Sequence, residues 1–319
     1  MNRTVLAVGL VMAVATACGS DGGSSAPTTS AAATSVPASE PGAGTTVKLE
    51  EAGAQPREPM RLRIAAGSTQ RAAFVAKTAM EMKMGDEEVS TGPVPATRFV
   101  IEQHVDSVDA DGTAHYTMTF ADVSVVATPG ADPELVSQTE ATLRQMEGIS
   151  GKATADPRGG NQQLTFDTSR ITDSTLKSTI ESMSSQIGNL TTPFPVEPVG
   201  LGARWVVTRR ATISGITLNM ATTFTLRERA GDTYRLDSDQ TGTAPTGPVA
   251  IPNLPAGTRA SVEKFALHSQ GEASGSLTQL LPENSTVAGE GDTTLTVTDG
   301  SDSRTLEQHM VLDFSLTPA

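Results

Sequence analysis

The sequence predicts a mainly β fold with two helices, in which a strongly curved antiparallel sheet packs on two amphipathic helices. Three patterns predict it: two-residue alternation of apolar side chains over long stretches, two runs of helical apolar spacing with start signals, and Asp/Gly turns between the alternating runs. In Phe74 to Met84, residues Phe74, Ala76, Thr78, Met80, Met82 and Met84 share one face, and Lys77, Glu81 and Lys83 take the other. Phe99, Ile101 and Val105 continue the alternation, and after the turn at Asp109 to Gly112 so do Tyr116, Met118 and Phe120. Such one-sided alternation belongs to antiparallel strands with one face buried and one wet.

The first helix is predicted from Asp132-Pro133, a capping residue followed by proline in the first turn, and carries Leu135, Thr139, Leu143 and Met146 before Gly148 stops it. The second follows Asp173 or Ser174 and sets Leu176, Ile180, Met183 and Ile187 along one stripe. A single apolar stripe must lie against something, and the concave face of a curved sheet is the expected partner. Strands resume with Leu218, Met220, Phe224 and Leu226, turn at Gly231-Asp232, and return through Tyr234 and Leu236. The C-terminal strand sets Leu306, Met310, Leu312, Phe314 and Leu316 against Glu307, His309, Asp313 and Ser315. Pro245 to Pro255 and Pro282 to Asp292 read as surface loops. A fainter echo links Ile64-Ala-Ala-Gly67 with Val199-Gly-Leu-Gly202, each followed by a long strand and a turned-back pair. Duplication and simple meander chemistry both produce such a likeness.

The N-terminus reads as a signal peptide over residues 1–17, because Arg3 precedes an uncharged apolar run from Val5 to Ala17. That run is shorter than the roughly 20 residues a membrane span needs. Ala15-Thr16-Ala17-Cys18 resembles the lipobox at which bacteria attach diacylglycerol to a thiol, and Cys18 is the only cysteine. The resemblance implies a lipoprotein anchored through Cys18 on the extracytoplasmic face of the cell membrane; ordinary secretion after Ala17 is the alternative. A lone cysteine excludes disulfides and cysteine-built metal sites. Residues 18–59, rich in Gly, Ser, Thr, Ala and Pro, are expected to form a disordered tether. Residues 60–319 are expected to form one globular domain. The net charge of −13 has the wrong sign for nucleic acid, which is not an expected partner.

The chemistry-bearing motifs resolve into structural ones. Ser174-Thr175-Leu176-Lys177 matches S-x-x-K, yet the companion motifs of penicillin-recognising enzymes are missing and helix capping explains Ser174. Asp106, Asp109 and Asp111 before Gly112 suggest a calcium loop, but the spacing is off and a hairpin turn explains them. His104, His115, His268 and His309 lie apart in predicted strands with no zinc-type spacing. The expectation is a non-enzymatic protein without cofactor or metal.

Pro195-Val-Glu-Pro198-Val-Gly200-Leu-Gly202-Ala-Arg-Trp205 is the most distinctive segment. It resembles the P-x-x-P-V-x-x-G-x-x-W signature of uncharacterised actinobacterial envelope lipoproteins, a likeness that runs from about Leu62 to the C-terminus. It implies fold and location, with Trp205 anchoring a core. The predicted layout also resembles the half-barrel lipid-carrier lipoproteins of bacterial envelopes. That likeness implies a cavity for a lipid or other amphiphile, with Met80, Met82 and Met84 on one side and Leu176, Ile180, Met183 and Ile187 on the other; flexible thioethers suit variable apolar ligands. The competing expectation is an envelope interaction or scaffold module with a filled core, binding protein or glycan through its acidic surface.

Overall fold

Side chains that alternate along the chain become opposite faces of one sheet once the strands pair. The computed structural model describes residues 45–89, 93–126, 128–171, 176–177, 180, 192–213, 215–251, 254 and 257–319. Its elements are β1 (Thr46–Glu51), β2 (Thr69–Met84), β3 (Glu87–Val89), β4 (Ala96–Val108), β5 (Ala114–Val126), α1 (Pro133–Arg144), β6 (Ser150–Ala155) and β7 (Asn161–Phe166). There follow β8 (Arg204–Ile213), β9 (Ile216–Ala230), β10 (Thr233–Thr243), β11 (Gly247–Val249), β12 (Thr258–Ser276), β13 (Asn284–Asp299) and β14 (Asp302–Pro318). All fourteen strands belong to one sheet, in the order β1-β8-β9-β10-β12-β13-β14-β2-β4-β5-β6-β7, with β11 added to β12 and β3 to β2.

The expected pair of helices under the sheet is corrected. Among the described residues α1 is the one helix with defined bounds, though Leu176, Lys177 and Ile180 are helical as well; Asp132 caps α1 by accepting from the Glu134 N–H at 2.8 Å. Of the second stripe, Leu176 and Ile180 are buried in the core, while Met183 and Ile187 lie outside the described residues, as does Ser174. The fold is nearly all β because the sheet curls and covers much of its own inner face. Its two flanks are stapled together by short segments: the Leu62 N–H reaches Pro157 O at 2.7 Å beyond β6, and Arg63 N–H reaches Leu277 O at 2.7 Å beyond β12. Phe194 N–H likewise reaches Arg158 O at 2.7 Å while its ring packs against Trp205 of β8 and Tyr234 of β10.

Two further boundaries move. The expected tether through Pro59 is cut short, since β1 pairs with β8 and Ala54 and Glu58 are bonded to Leu201 and Val199. The expected loop Pro282 to Asp292 is instead the first half of β13, paired on both sides. Its glycines misled the reading, and they are there for curvature. A Cβ on Gly289 would stand 2.4 Å from the Ser269 Cβ, and one on Gly271 2.4 Å from Thr286 O. The sheet is creased along β12 and β13, where only hydrogen fits on the inner side.

The faint sequence echo is a repeat in the backbone. Gly67 (φ 78°) donates to Val105 O at 2.8 Å, and Val105 donates back to Ser68 O at 2.9 Å. Gly202 (φ 79°) donates to Leu226 O at 2.8 Å, and Leu226 donates back to Ala203 O at 2.9 Å. A bulge follows at once in each copy, skipping Asp106 on β4 and Arg227 on β9. The turns after β6 and β12 match as well: Asp156 Oδ1 accepts from Arg158 N–H as Ser276 Oγ accepts from Thr278 N–H. Thus β2-β4-β5-β6 and β8-β9-β10-β12 are two versions of one unit, and Leu62-Arg63 bonds the equivalent carbonyl of each.

Burial divides accordingly. One core gathers Phe99, Tyr116, Phe120, Leu143, Met146, Leu176 and Ile180 in the first unit; a second gathers Met60, Phe194, Val199, Trp205, Leu226 and Leu236 in the other. A third lies at the far ends of the long strands, around Ile216, Leu218, Val262, Leu295 and Leu306.

Candidate functional site

The long strands β2, β9, β10, β12, β13 and β14 carry their inner face from the two unit cores to the third cluster. Register sets Arg209, Met220, Gly242, Leu267, Gly291, Met310 and Met80 in one transverse row across seven strands. The neighbouring row runs Val207, Thr222, Gln240, Ser269, Gly289, Leu312 and Thr78. Small residues thus occupy the crease and larger ones flank it. On the β14–β2 side Phe74, Met80, Met84, Leu312 and Phe314 are only half-buried, and on the other so are Met220, Phe224 and Leu267. Phe74 and Phe314 stack across the strand pair with centroids 5.7 Å apart. At the crease Ser269 Oγ donates to Gln240 Oε1 at 3.2 Å and Gln240 Nε2 donates to Thr222 Oγ1 at 3.0 Å, so its polar groups are chained together.

The residues expected to line a cavity separate. Met80, Met82 and Met84 do share the inner face of β2, opposite Met310, Gln308 and Leu306 of β14, and Met84 packs against the third cluster. Leu176 and Ile180 are instead part of the first unit's core, with Ile180 fully buried. Cys18, Met183 and Ile187 lie outside the described residues. Arg209 is the one charged side chain in these two rows, and burial lowers its pKa to about 10.

A second feature escaped the sequence reading. Where β9 turns into β10, Arg227, Arg229 and Arg235 line an open cleft of about 460 Å³ with Glu228, Tyr234, Glu283 and the exposed Leu201. Its signal was present in the alternating Arg227-Glu228-Arg229 and in Arg235 across the hairpin. Each guanidinium is committed: Arg227 to Asp237 at 2.5 Å, Arg235 to Glu228 at 2.7 Å, and Arg229 to Glu58 at 3.2 Å and to the carbonyls of Glu58 and Pro59. Burial, then the Glu283 carboxylate, pushes the Tyr234 hydroxyl above its usual range, so it stays protonated. The cleft is therefore internally neutralised, and Arg229 holds the Glu58-Pro59 segment between β1 and β2 rather than wait for an anion.

The remaining polar candidates are spent on neighbours. Asp106 accepts from Thr117 Oγ1, Asp109 pairs with His115, and Asp111 accepts from Thr113 N–H, so three partners divide the calcium-like aspartates. His104 meets Thr69, His268 meets Asp239 and His309 meets Asp292. Among the described residues no three His, Cys, Asp or Glu side chains gather into a metal-binding group, and no helix is long and apolar enough to cross a membrane. The distinctive Pro195 to Trp205 segment acts structurally. A Cβ on Gly200 would overlap Ala54 O, Val199 is fully buried, and Trp205, also fully buried, donates from Nε1 to Pro193 O at 3.0 Å.

No protein-family model matches the chain, and no curated protein matches it. Among solved structures it is similar to the crystal structure of Pseudomonas aeruginosa OccK11 (OpdR), at 7% identity and a TM-score of 0.23 over 81% of this chain and 100% of that one. A score that low carries no shared fold.

Proposed function

We propose that the protein is a non-enzymatic lipoprotein of the cell envelope, tethered through lipid on Cys18 to the extracytoplasmic face, whose creased sheet takes up a lipid or similar amphiphile on its inner face. One observation supports the ligand above the others: half-buried Phe74, Met80, Leu312 and Phe314 face the crease from one flank and Met220, Phe224 and Leu267 from the other. Apolar side chains left half-covered over so long a face are the ones an acyl chain would finish burying, at roughly 25 cal/mol per Å². The site proposed here is the crease, not the sheet–helix cavity the sequence suggested. Native mass spectrometry of protein lacking residues 1–18 tests it: a co-purified or reloadable lipid is expected, and a chain that stays bare after exposure to envelope lipid extract overturns the amphiphile reading. The anchor is tested separately. Cys18→Ala should leave the protein soluble or as uncleaved precursor, and a processed, membrane-bound mutant would disprove lipidation.

A further inference from the structure

The inner face carries a compact group of which the amphiphile reading uses only Met80. Met80 lies directly opposite Met310, and two residues along the same strands Met82 lies directly opposite Gln308. These four make a square on one face of two adjacent strands. Directly opposed residues have Cβ atoms about 4.5–5.5 Å apart and diagonal ones about 7–8 Å, distances that flexible methionine side chains span. The side chains do lean over the centre of the square, since Gln308 Nε2 reaches diagonally to Met80 Sδ at 3.0 Å. Gln308 is only 6% exposed, and its Oε1 has no hydrogen-bond partner. A buried amide oxygen left unpaired beside three thioethers asks for an electrophile.

We propose that Met80, Met82, Met310 and Gln308 form a binding site for a soft monovalent cation, Cu(I) in the envelope and Ag(I) as its analogue. Thioether sulfur is a soft ligand that selects Cu(I) over the harder divalent ions. All four side chains are neutral, so the site accepts one positive charge without a counter-ion; stripping the water from a divalent ion would cost far more in the same place. Access fits too. Met82 and Met310 are buried at 7% and 5% exposure while Met80 is half-exposed, giving the ion one way in. The Met80-Glu-Met82-Lys-Met84 spacing supplies the sulfurs because alternation in a strand sends every second side chain to one face. Met84, one step further out, sits opposite Leu306 and belongs to the third apolar cluster.

The test is an Ag(I) titration of the full chain carrying Cys18→Ser, so that no thiol competes, followed by the methionine methyl resonances and by native mass. One Ag(I) per chain is expected, with the methyl signals of Met80, Met82 and Met310 moving together at equimolar metal. Met82→Leu and Met310→Leu, both near-isosteric, should each weaken binding at least tenfold, and Gln308→Met should retain or tighten it. Shifts centred on other methionines such as Met60, Met118 or Met220, or affinity unchanged in Met82→Leu, would overturn the proposal. So would the absence of a bound ion at equimolar Ag(I). The wild-type methyl spectrum decides even if a variant fails to fold, and lipid uptake by the crease is a separate readout that metal binding need not alter.

Discussion

The two copies of the repeated unit share their backbone devices and differ in what lies beneath them. At matching places, Gln70 and Gln103 oppose each other on β2 and β4, and Trp205 and Phe224 on β8 and β9. Trp205 and Phe224 stack with centroids 5.7 Å apart, whereas Gln103 is 1% exposed with neither end of its amide bonded. Even so, Gln70 and Trp205 do the same work with different chemistry. Gln70 holds a loop through both amide ends, donating to Leu281 O at 3.0 Å and accepting from Leu281 N–H at 3.1 Å, and Trp205 holds one through its indole. A left-handed glycine, a bulge and a capped turn set the topology twice. Side-chain chemistry then sets the copies apart at this place, an aromatic stack in one and a glutamine pair in the other.

Breaking the aromatic stack should have the largest effect. Trp205→Ala removes a fully buried ring and its bond to Pro193, and is expected to cost about 3–5 kcal/mol. Chemical denaturation followed by far-ultraviolet circular dichroism measures it, and wild-type Trp205 emission should be blue-shifted and poorly quenched by iodide. A loss below about 1 kcal/mol would place Trp205 outside the core and undo the contrast between the copies.

The next effect tests the sameness. Gly67 and Gly202 have positive φ of 78° and 79°, and a Cβ on either would meet nothing within 4 Å. Substitution by alanine therefore acts through the backbone alone, at about 1–2 kcal/mol. Gly67→Ala and Gly202→Ala should lower stability by closely similar amounts in matched denaturation curves. Markedly unequal losses would mean that the two starts are alike in shape only.

How far the sequence foretold this follows from which physics is local. Alternation is local, so β2, β4, β5, β9, β10 and β14 were legible from Phe74, Phe99, Tyr116, Leu218, Tyr234 and Leu306 onward, and so was α1 from Asp132-Pro133. The crease was not. Gly289 and Gly291 read as loop residues because their purpose, letting β12 and β13 close up on the inner side, exists only after strands distant in sequence have paired. The same cause defeated the cavity: Met84 and Leu176 each sit on an apolar stripe, yet nothing local says that these two residues go to different cores. The methionine triplet on β2 was visible, but Met310 and Gln308 beside it were not. The arginine cleft needed the β9–β10 register, which no single-strand pattern supplies.

Relieving the unbonded amide of Gln103 should give a smaller effect of opposite sign. Gln103→Leu replaces two buried, unbonded polar atoms with hydrocarbon and is expected to stabilise the protein by about 1 kcal/mol. A raised melting temperature checks it. A clear loss would show that Gln103 is bonded after all, and that the first copy is specified by a polar contact where the second uses an aromatic stack.

The smallest effect concerns β14, which has no counterpart in the first copy and joins the two. His309 Nδ1 and Asp292 Oδ1 lie 2.9 Å apart across β13 and β14. The hydrogen bond to Asp292 raises the His309 pKa, helped by the charges of Asp292, Glu290 and Glu81; the bond to His309 and the nearby Lys264 hold Asp292 below its usual value. A histidine whose folded pKa is raised stabilises fully below its unfolded pKa of about 6.5 and loses that contribution as pH rises through the folded value. An aspartate whose folded pKa is lowered stabilises above about 3.9 and loses it as pH falls. The pair therefore contributes most between the two unfolded values, about 3.9 and about 6.5, and fades as pH rises through the raised His309 value. Both side chains are about half-exposed, at 42% and 52%, so water and salt confine the contribution to about 0–1 kcal/mol. His309→Gln should lower the melting temperature slightly at a pH below about 6.5 in low salt and converge with wild type as pH rises through the raised His309 value. A deficit that is the same on both sides of that value would mean that the ring steadies the β13–β14 joint by packing and that its charge is irrelevant.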